Sequence, residues 1–263
     1  MPLPAGHLVI AVLSYNRLID DRVSDAVYAA LPGLARIGWR ATIIREVGNA
    51  DLCDARNTVL AQCYSIADAN KLLFIDGDIS YDQGSIERIV GWDVDLVGAT
   101  YLKRQDGAGW PLKTLPRVEK LVDPATGDER DDGLMQVAGI PTGFMCISRK
   151  CIEKMINHHA DEWYTQPRVT GKRAWNIFKF GIHDHERWGE DIYFCWVWRQ
   201  IGGKVWLDPH LMIHHHGDKT FSGRAIDFLS ETNWLQMPSS RRKVVQFKPD
   251  NDGEDPSMEN LIK

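Results

Sequence analysis

Two carboxylates separated by one glycine follow an apolar run in Lys71-Leu-Leu-Phe-Ile-Asp-Gly-Asp-Ile-Ser80. Leu72 to Ile75 reads as a buried strand. Carboxylates are costly inside an apolar sheet, so the chain must emerge at Asp76, the strand's C-terminal edge. That edge is where open α/β sheets place their ligands. Side chains two apart on an extended backbone share a face, so Asp76 and Asp78 point the same way. Gly77 between them permits a turn or a close approach to a ligand. Two hard oxygen donors on one side suit Mg²⁺ or Mn²⁺ carrying a phosphate. Taken alone, the triplet is as well explained as a turn after a strand.

Two further groups of residues could do chemistry with it. In Arg187-Trp-Gly-Glu-Asp-Ile-Tyr-Phe194, the acids Glu190 and Asp191 follow a glycine at the expected start of a helix. Acids there complement the helix dipole, and a carboxylate facing a cleft could instead act as a general base toward an acceptor hydroxyl. In Trp206-Leu-Asp-Pro-His-Leu-Met-Ile-His-His-His-Gly217, three successive histidines end an expected strand. Neutral imidazole is a common metal ligand; on strand alternation His214 and His216 share one face and His215 takes the other. A surface histidine cluster explains the run equally well, and His183 with His185 needs no role beyond that.

The elements around these residues alternate. Leu8–Leu13 is a strand running into the loop Ser14-Tyr-Asn16, and the apolar positions Val23, Val27, Ala30, Leu31 and Leu34 mark a helix closed by Gly38. Strand Trp39–Arg45, helix Asp54–Ala67 with Asp51 or Asp54 near its N-terminus, and strand Leu72–Ile75 follow. This order predicts a parallel, doubly wound sheet. Further strands are expected near Val94–Leu102, Met135–Ile140, Thr142–Ile147, Lys204–Leu207 and Leu211–His215, with helices at 83–90, 149–156 and 190–201. The stretch 104–133 is rich in Gly, Pro and charge and reads as an excursion, and 158–187 as an irregular lid.

Composition bounds the rest. The chain has 263 residues, 44% hydrophobic and 25% charged, which suits one α/β domain with a sizeable core. A net charge of -5 argues against a protein devoted to gripping duplex DNA. Five scattered cysteines without a C-x-x-C pair read as free thiols in a reducing compartment. The first strand has no basic leader before it, and no uncharged apolar run nears the ~18–20 residues of a membrane span, so a cytoplasmic location is expected. The acidic end beyond Pro249 reads as disordered.

In order and spacing, these motifs resemble the GT-A fold nucleotide-sugar glycosyltransferases, especially their family-2-like members, many of them bacterial or phage-encoded. The resemblance rests on Val12-Leu-Ser-Tyr-Asn16, Asp54-Ala-Arg-Asn57, Phe74-Ile-Asp-Gly-Asp-Ile79, Gly189-Glu-Asp191 and the Asp208-Pro209 to His215 segment. It covers roughly residues 7 to 222 and implies a single GT-A domain over 1–222, with 223–263 as a C-terminal extension. The implied fold is a Rossmann-like, mostly parallel sheet flanked by helices.

The resemblance implies roles as well. Asp78 would coordinate Mn²⁺ or Mg²⁺ bridging a diphosphate, Asp76 would touch the ribose or the metal shell, and His215 would complete the site, with an ambiguity of one residue. Ser14, Asn16, Arg56, Asn57 and Gly77 would line the nucleotide pocket, and Thr142 and Gly143 the wall near the sugar. Trp188 would stack on a sugar ring. Asp191 would be the base and Glu190 would hold acceptor hydroxyls. The implied donor is a nucleotide-diphosphate sugar, UDP ahead of GDP. The acceptor, a glycan, a small molecule or a modified base of phage DNA, stays open; only Ser239-Ser-Arg-Arg-Lys243 hints at DNA. Two competing readings are a nucleotidyltransferase, which would want a glycine-rich first loop, and a non-catalytic nucleotide-sugar-binding protein.

Overall fold

The apolar run Leu8–Leu13 forms the middle of β1 (Gly6–Ser14), and every side chain in it is buried. Burial on both faces marks a central strand. In the computed structural model, which describes residues 6–105, 109–117 and 120–232, β1 lies between β2 (Trp39–Val47) and β3 (Lys71–Asp76), parallel to both. Helix α1 (Asp21–Arg36) starts on Asp20, whose carboxylate accepts from the Arg22 N–H, and α2 (Leu52–Ser65) starts on Asp51 in the same way. Gly38, just past α1, has φ +80°, the left-handed region that glycine enters without a Cβ penalty.

After β3 come β4 (Ile79–Tyr81), α3 (Ser85–Gly91), β5 (Leu96–Gly98), β6 (Met135–Val137), β7 (Phe144–Ser148) and α4 (Arg149–His158). The stretch expected as an irregular lid instead forms two hairpins, β8 (Trp163–Thr165) with β9 (Arg173–Trp175) and β10 (Gly181–His183) with β11 (Glu186–Trp188). Then follow α5 (Glu190–Gln200), β12 (Val205–Leu207), β13 (Ile213–His215), β14 (Phe221–Gly223) and α6 (Ala225–Glu231).

Seven strands make the main sheet in the order β2-β1-β3-β7-β5-β12-β6. The expected α/β class, a mostly parallel sheet flanked by helices, is the one observed. It is not wholly parallel: β7 runs against β3 and β5, and β6 against β12. Fully buried strands read as plain apolar runs in either direction, so periodicity could not give their polarity. Alternation divides the core between the two faces. Leu8, Ile10, Val12, Leu73 and Ile75 pack with Val23, Val27 and Leu34 of α1, while Val9, Ala11, Leu13, Leu72 and Phe74 pack with α2, α4 and α5. Ala225 and Leu229 of α6 join the second of these clusters. The acidic end and the basic stretch Ser239–Lys243 lie outside the described residues.

A smaller antiparallel sheet, β14-β13-β4, sits beside the C-terminal end of β3. Because β4 begins one residue after Asp78 and pairs with β13, the register His215↔Ile79 brings the histidine run to the Asp76–Asp78 turn. All five cysteines are free. Among the described residues no helix is long and apolar enough to cross a membrane.

Candidate active site

The backbone at Gly77 explains the shape of the site. Its N–H donates to the Leu13 carbonyl at 2.7 Å and its carbonyl accepts from the Asp20 N–H at 2.8 Å. A Cβ there would sit 3.0 Å from Leu13 O and 3.1 Å from Ser14 Cβ. Close approach to the end of β1, not a left-handed turn, is what requires glycine. The two flanking carboxylates line the same cleft but take different partners.

Asp78 faces the histidine strand. Its Oδ2 lies 3.6 Å from His215 Nε2 and 3.1 Å from Arg104 Nη1. The other two histidines are engaged elsewhere: His214 with Ser222 and Asp82, His216 with Ser80 and Thr220. The geometry therefore selects His215 from the run of three. Its Nδ1 lies 2.8 Å from the Leu102 carbonyl, which can only accept, so Nδ1 carries the proton. When the ring is protonated, Nε2 donates toward the Asp78 carboxylate; when it is neutral, the Nε2 lone pair faces that carboxylate. Two acceptors facing one another suit a cation between or beside them, and this donor set fits Mn²⁺ or Mg²⁺. Among the described residues no group of three His, Cys, Asp or Glu gathers to hold a metal, so further ligands would come from phosphate or water. Burial would raise the Asp78 carboxyl, but the hydrogen bond and charge of His215 and the charge of Arg104 outweigh it and hold it below its ordinary range.

Asp76 faces inward. Its Oδ1 accepts from Arg56 Nη2 at 3.1 Å, and Arg56 Nε donates to Glu190 Oε1 at 3.0 Å. Arg56 is 2% exposed and bridges the end of β3 to the start of α5, leaving Nη1 buried without a partner among the described residues. Burial pushes the Asp76 carboxyl up against the pull of Arg56. Asp191, next along α5, rises from its ordinary 3.8 to about 6 through burial and the charge of Glu190, although it accepts from the Ile192 N–H at 2.7 Å. Tyr101, just past β5, stands among these acids. Burial and the charges of Asp76 and Asp191 push its phenol well up, and its ring meets His215 edge-on at 4.9 Å. Gly143 borders the same group: a Cβ there would lie 2.6 Å from Tyr101 Oη and 2.9 Å from Asp76 Oδ2. Thr142 beside it has a buried hydroxyl without a partner among the described residues.

Ser14, Asn16, Asp76, Gly77 and Asp78 line a common cleft of about 590 Å³ together with Arg104, His216 and Gly217. Asn16 Oδ1 accepts from Ser14 Oγ and the Leu18 N–H, which closes the loop after β1 over this cleft. The other candidates, among them His215, Arg56, Glu190 and Asp191, are not in this lining, and two of them engage other parts of the chain. Asn57 points away from the cleft: its amide donates to the Phe178 carbonyl and accepts from the N–H groups of Ile177 and Phe178. Trp188 packs edge-on to His183 at 4.6 Å, with Lys113 Nζ 4.1 Å from its ring centre. Sequence reading did not reach Tyr101 and Arg104. The available signal was their place just beyond the C-terminal edge of a strand, the same edge rule that singled out Asp76.

No protein-family model matches the sequence, and no curated protein matches it. Among solved structures, A197 from STIV is similar over 82% of this chain and 93% of its own, at 15% identity and a TM-score of 0.45. TarS from S. aureus is similar over 88% of this chain at 11% identity and a TM-score of 0.42, and the match spans 39% of TarS. The 4-diphosphocytidyl-2C-methyl-D-erythritol synthase from Anaerococcus prevotii is similar over 88% of this chain and 100% of its own, at 10% identity and a TM-score of 0.37. At these values the likeness concerns the course of the backbone and gives no residue a role.

Proposed function

We propose that the protein is a metal-dependent glycosyltransferase that moves a sugar from a nucleotide-diphosphate donor, UDP ahead of GDP, to an acceptor hydroxyl. The observation that carries this reading is the division of the two aspartates. Asp78, on the cleft, has His215 Nε2 3.6 Å away, while Asp76 is joined through Arg56 to Glu190 at the start of α5. In this reading a metal-bound leaving group would sit on the Asp78 side of the turn and the base on the Asp76 side.

The reaction breaks the bond from the sugar's anomeric carbon to the diphosphate oxygen, which keeps the electron pair. The acceptor oxygen forms the new bond, and its proton passes to Asp191. A divalent cation held by Asp78 and His215 would neutralise charge developing on the diphosphate. Ser14 and Asn16 would hold the nucleotide end, and Asp191, raised toward neutrality, is suited to accept a proton near physiological pH. Glu190 would hold acceptor hydroxyls while Arg56 fixes its direction. Thr142, with a buried hydroxyl in need of a partner, would meet the transferred sugar alongside Gly143.

Incubation with UDP- and GDP-sugars plus Mn²⁺ should release nucleoside diphosphate, and chelation should stop it. If Asp78→Asn and Asp191→Asn both leave donor hydrolysis and transfer unchanged, the mechanism is wrong.

A further inference from the structure

We propose that Arg104 is a second cation of the donor site: it neutralises Asp78 while the cleft holds no donor and turns to the leaving diphosphate when one enters. The inference rests on the reading above. Three observations carry it. First, Arg104 Nη1 lies 3.1 Å from Asp78 Oδ2 and 3.3 Å from the His216 carbonyl, so the guanidinium spans the mouth between the turn after β3 and the end of the histidine strand. Second, its stem lies across Gly217, where a Cβ would come within 2.9 Å of Arg104 Cδ. Gly217 is absent from the residues of positive φ, so a Cβ there would strain no backbone and would instead push on the arginine stem. The glycine that ends His214-His-His-Gly217 leaves room for this side chain to lie along the backbone. Third, the side chain is 48% exposed and is held at the cleft by its tip, an arrangement that lets it exchange partners without unfolding anything.

Charge supplies the reason for a second cation. When the sugar–oxygen bond breaks, the electron pair stays on the diphosphate, and a divalent ion facing one carboxylate offsets only part of the charge that the diphosphate then carries. No third acidic or imidazole ligand gathers there among the described residues. A planar guanidinium meets phosphate oxygens in pairs, a geometry an ammonium lacks. The same guanidinium stands beside the oxygen that a metal would take, so metal and Arg104 would compete for Asp78 until a diphosphate gave Arg104 a better partner.

The test uses Arg104→Ala, Arg104→Lys and Gly217→Ala in the full chain. Mn²⁺ alone, followed by electron paramagnetic resonance, should bind Arg104→Ala a few-fold more tightly than wild type, because Asp78 loses its competitor. UDP with Mn²⁺, measured by calorimetry, should bind about tenfold or more weakly, as loss of a charge-assisted hydrogen bond implies, with kcat falling at least as far. Arg104→Lys should recover only part of both. Gly217→Ala, which keeps the charge but pushes on the arginine stem, should also weaken UDP binding. Unchanged Mn²⁺ and UDP affinities in Arg104→Ala would overturn the assignment. Wild-type protein that binds Mn²⁺ but no nucleoside diphosphate would instead overturn the donor reading, and this inference with it.

Discussion

Asp191 is the residue whose chemistry depends most directly on solution conditions. If Asp191 is the base of the proposed reaction, with a pKa of about 6 it is ionised only above that pH, and kcat/KM should fall about tenfold per pH unit on the acid side of 6. Asp191→Asn should lower turnover by about 10²–10⁴-fold, the usual worth of a general base, and erase that limb of the profile. The same shift has a stability side. A carboxyl whose folded pKa lies above its ordinary 3.8 favours the folded state below that pH, and the advantage is lost as pH rises through about 6. At pH 7 the Asn variant should therefore melt higher than wild type while being inactive, a trade measured by thermal denaturation beside an activity assay. Arg56 behaves oppositely. Arg56→Ala strands Asp76 and Glu190 in a buried setting and should cost about 3–5 kcal/mol in urea unfolding, with Lys a poor substitute for a guanidinium that bridges through Nε and Nη2. His215→Ala should weaken Mn²⁺ binding, and His214→Ala, whose ring is held by Ser222 and Asp82, should not.

At the scale of elements, α2 shows how much of the site sequence could and could not disclose. Arg56 and Asn57 were expected together in the nucleotide pocket. Successive helical residues are about 100° apart around the axis, so one cleft could not take both. Arg56 turns to the acids, and Asn57 ties α2 to residues 177 and 178 just before the β10–β11 hairpin. Asn57→Leu removes the acceptor of two buried backbone N–H groups and should destabilise the fold by about 2–4 kcal/mol, read from the urea midpoint, with KM affected less than stability. The Asp76–Asp78 turn, the strand before it and the acids opening α5 were legible because burial, edge position and helix start each leave a local pattern. Tyr101 and Arg104 were not, since nothing local says what a residue after a strand will face. The polarity of β7 and β6 was hidden for a similar reason: an apolar run carries no direction.

Across the whole molecule, the cleft joins parts that are far apart in sequence. The loop after β1, the turn after β3, Arg104 beyond β5 and the end of β13 each contribute a wall. A ligand that touches all four stabilises the folded state through each at once. UDP with Mn²⁺ at 100 times its Kd should add about 2.7 kcal/mol, which at about 2–4 °C per kcal/mol is a rise in Tm of several degrees. Either component alone should give less than the pair, because the cation needs phosphate ligands and the phosphate needs the cation. The two sheet faces divide their cores by simple alternation along β1 and β3, so the framework under this cleft follows from burial alone.

The run of three histidines has a consequence for how this site withstands change. If β13 slipped by one residue against β4, His214 or His216 would take the seat opposite Ile79, and an imidazole would still face Asp78. Chemistry at that seat is indifferent to the slip. The core is not, because Ile213, 0% exposed, would give its place to Met212 or His214. An isoleucine thus keeps the frame for which the histidines offer spares. A one-residue insertion or deletion between β12 and β13 would cost folding stability before it cost the ligand, leaving later substitutions in the core free to repair a site that never lost its imidazole.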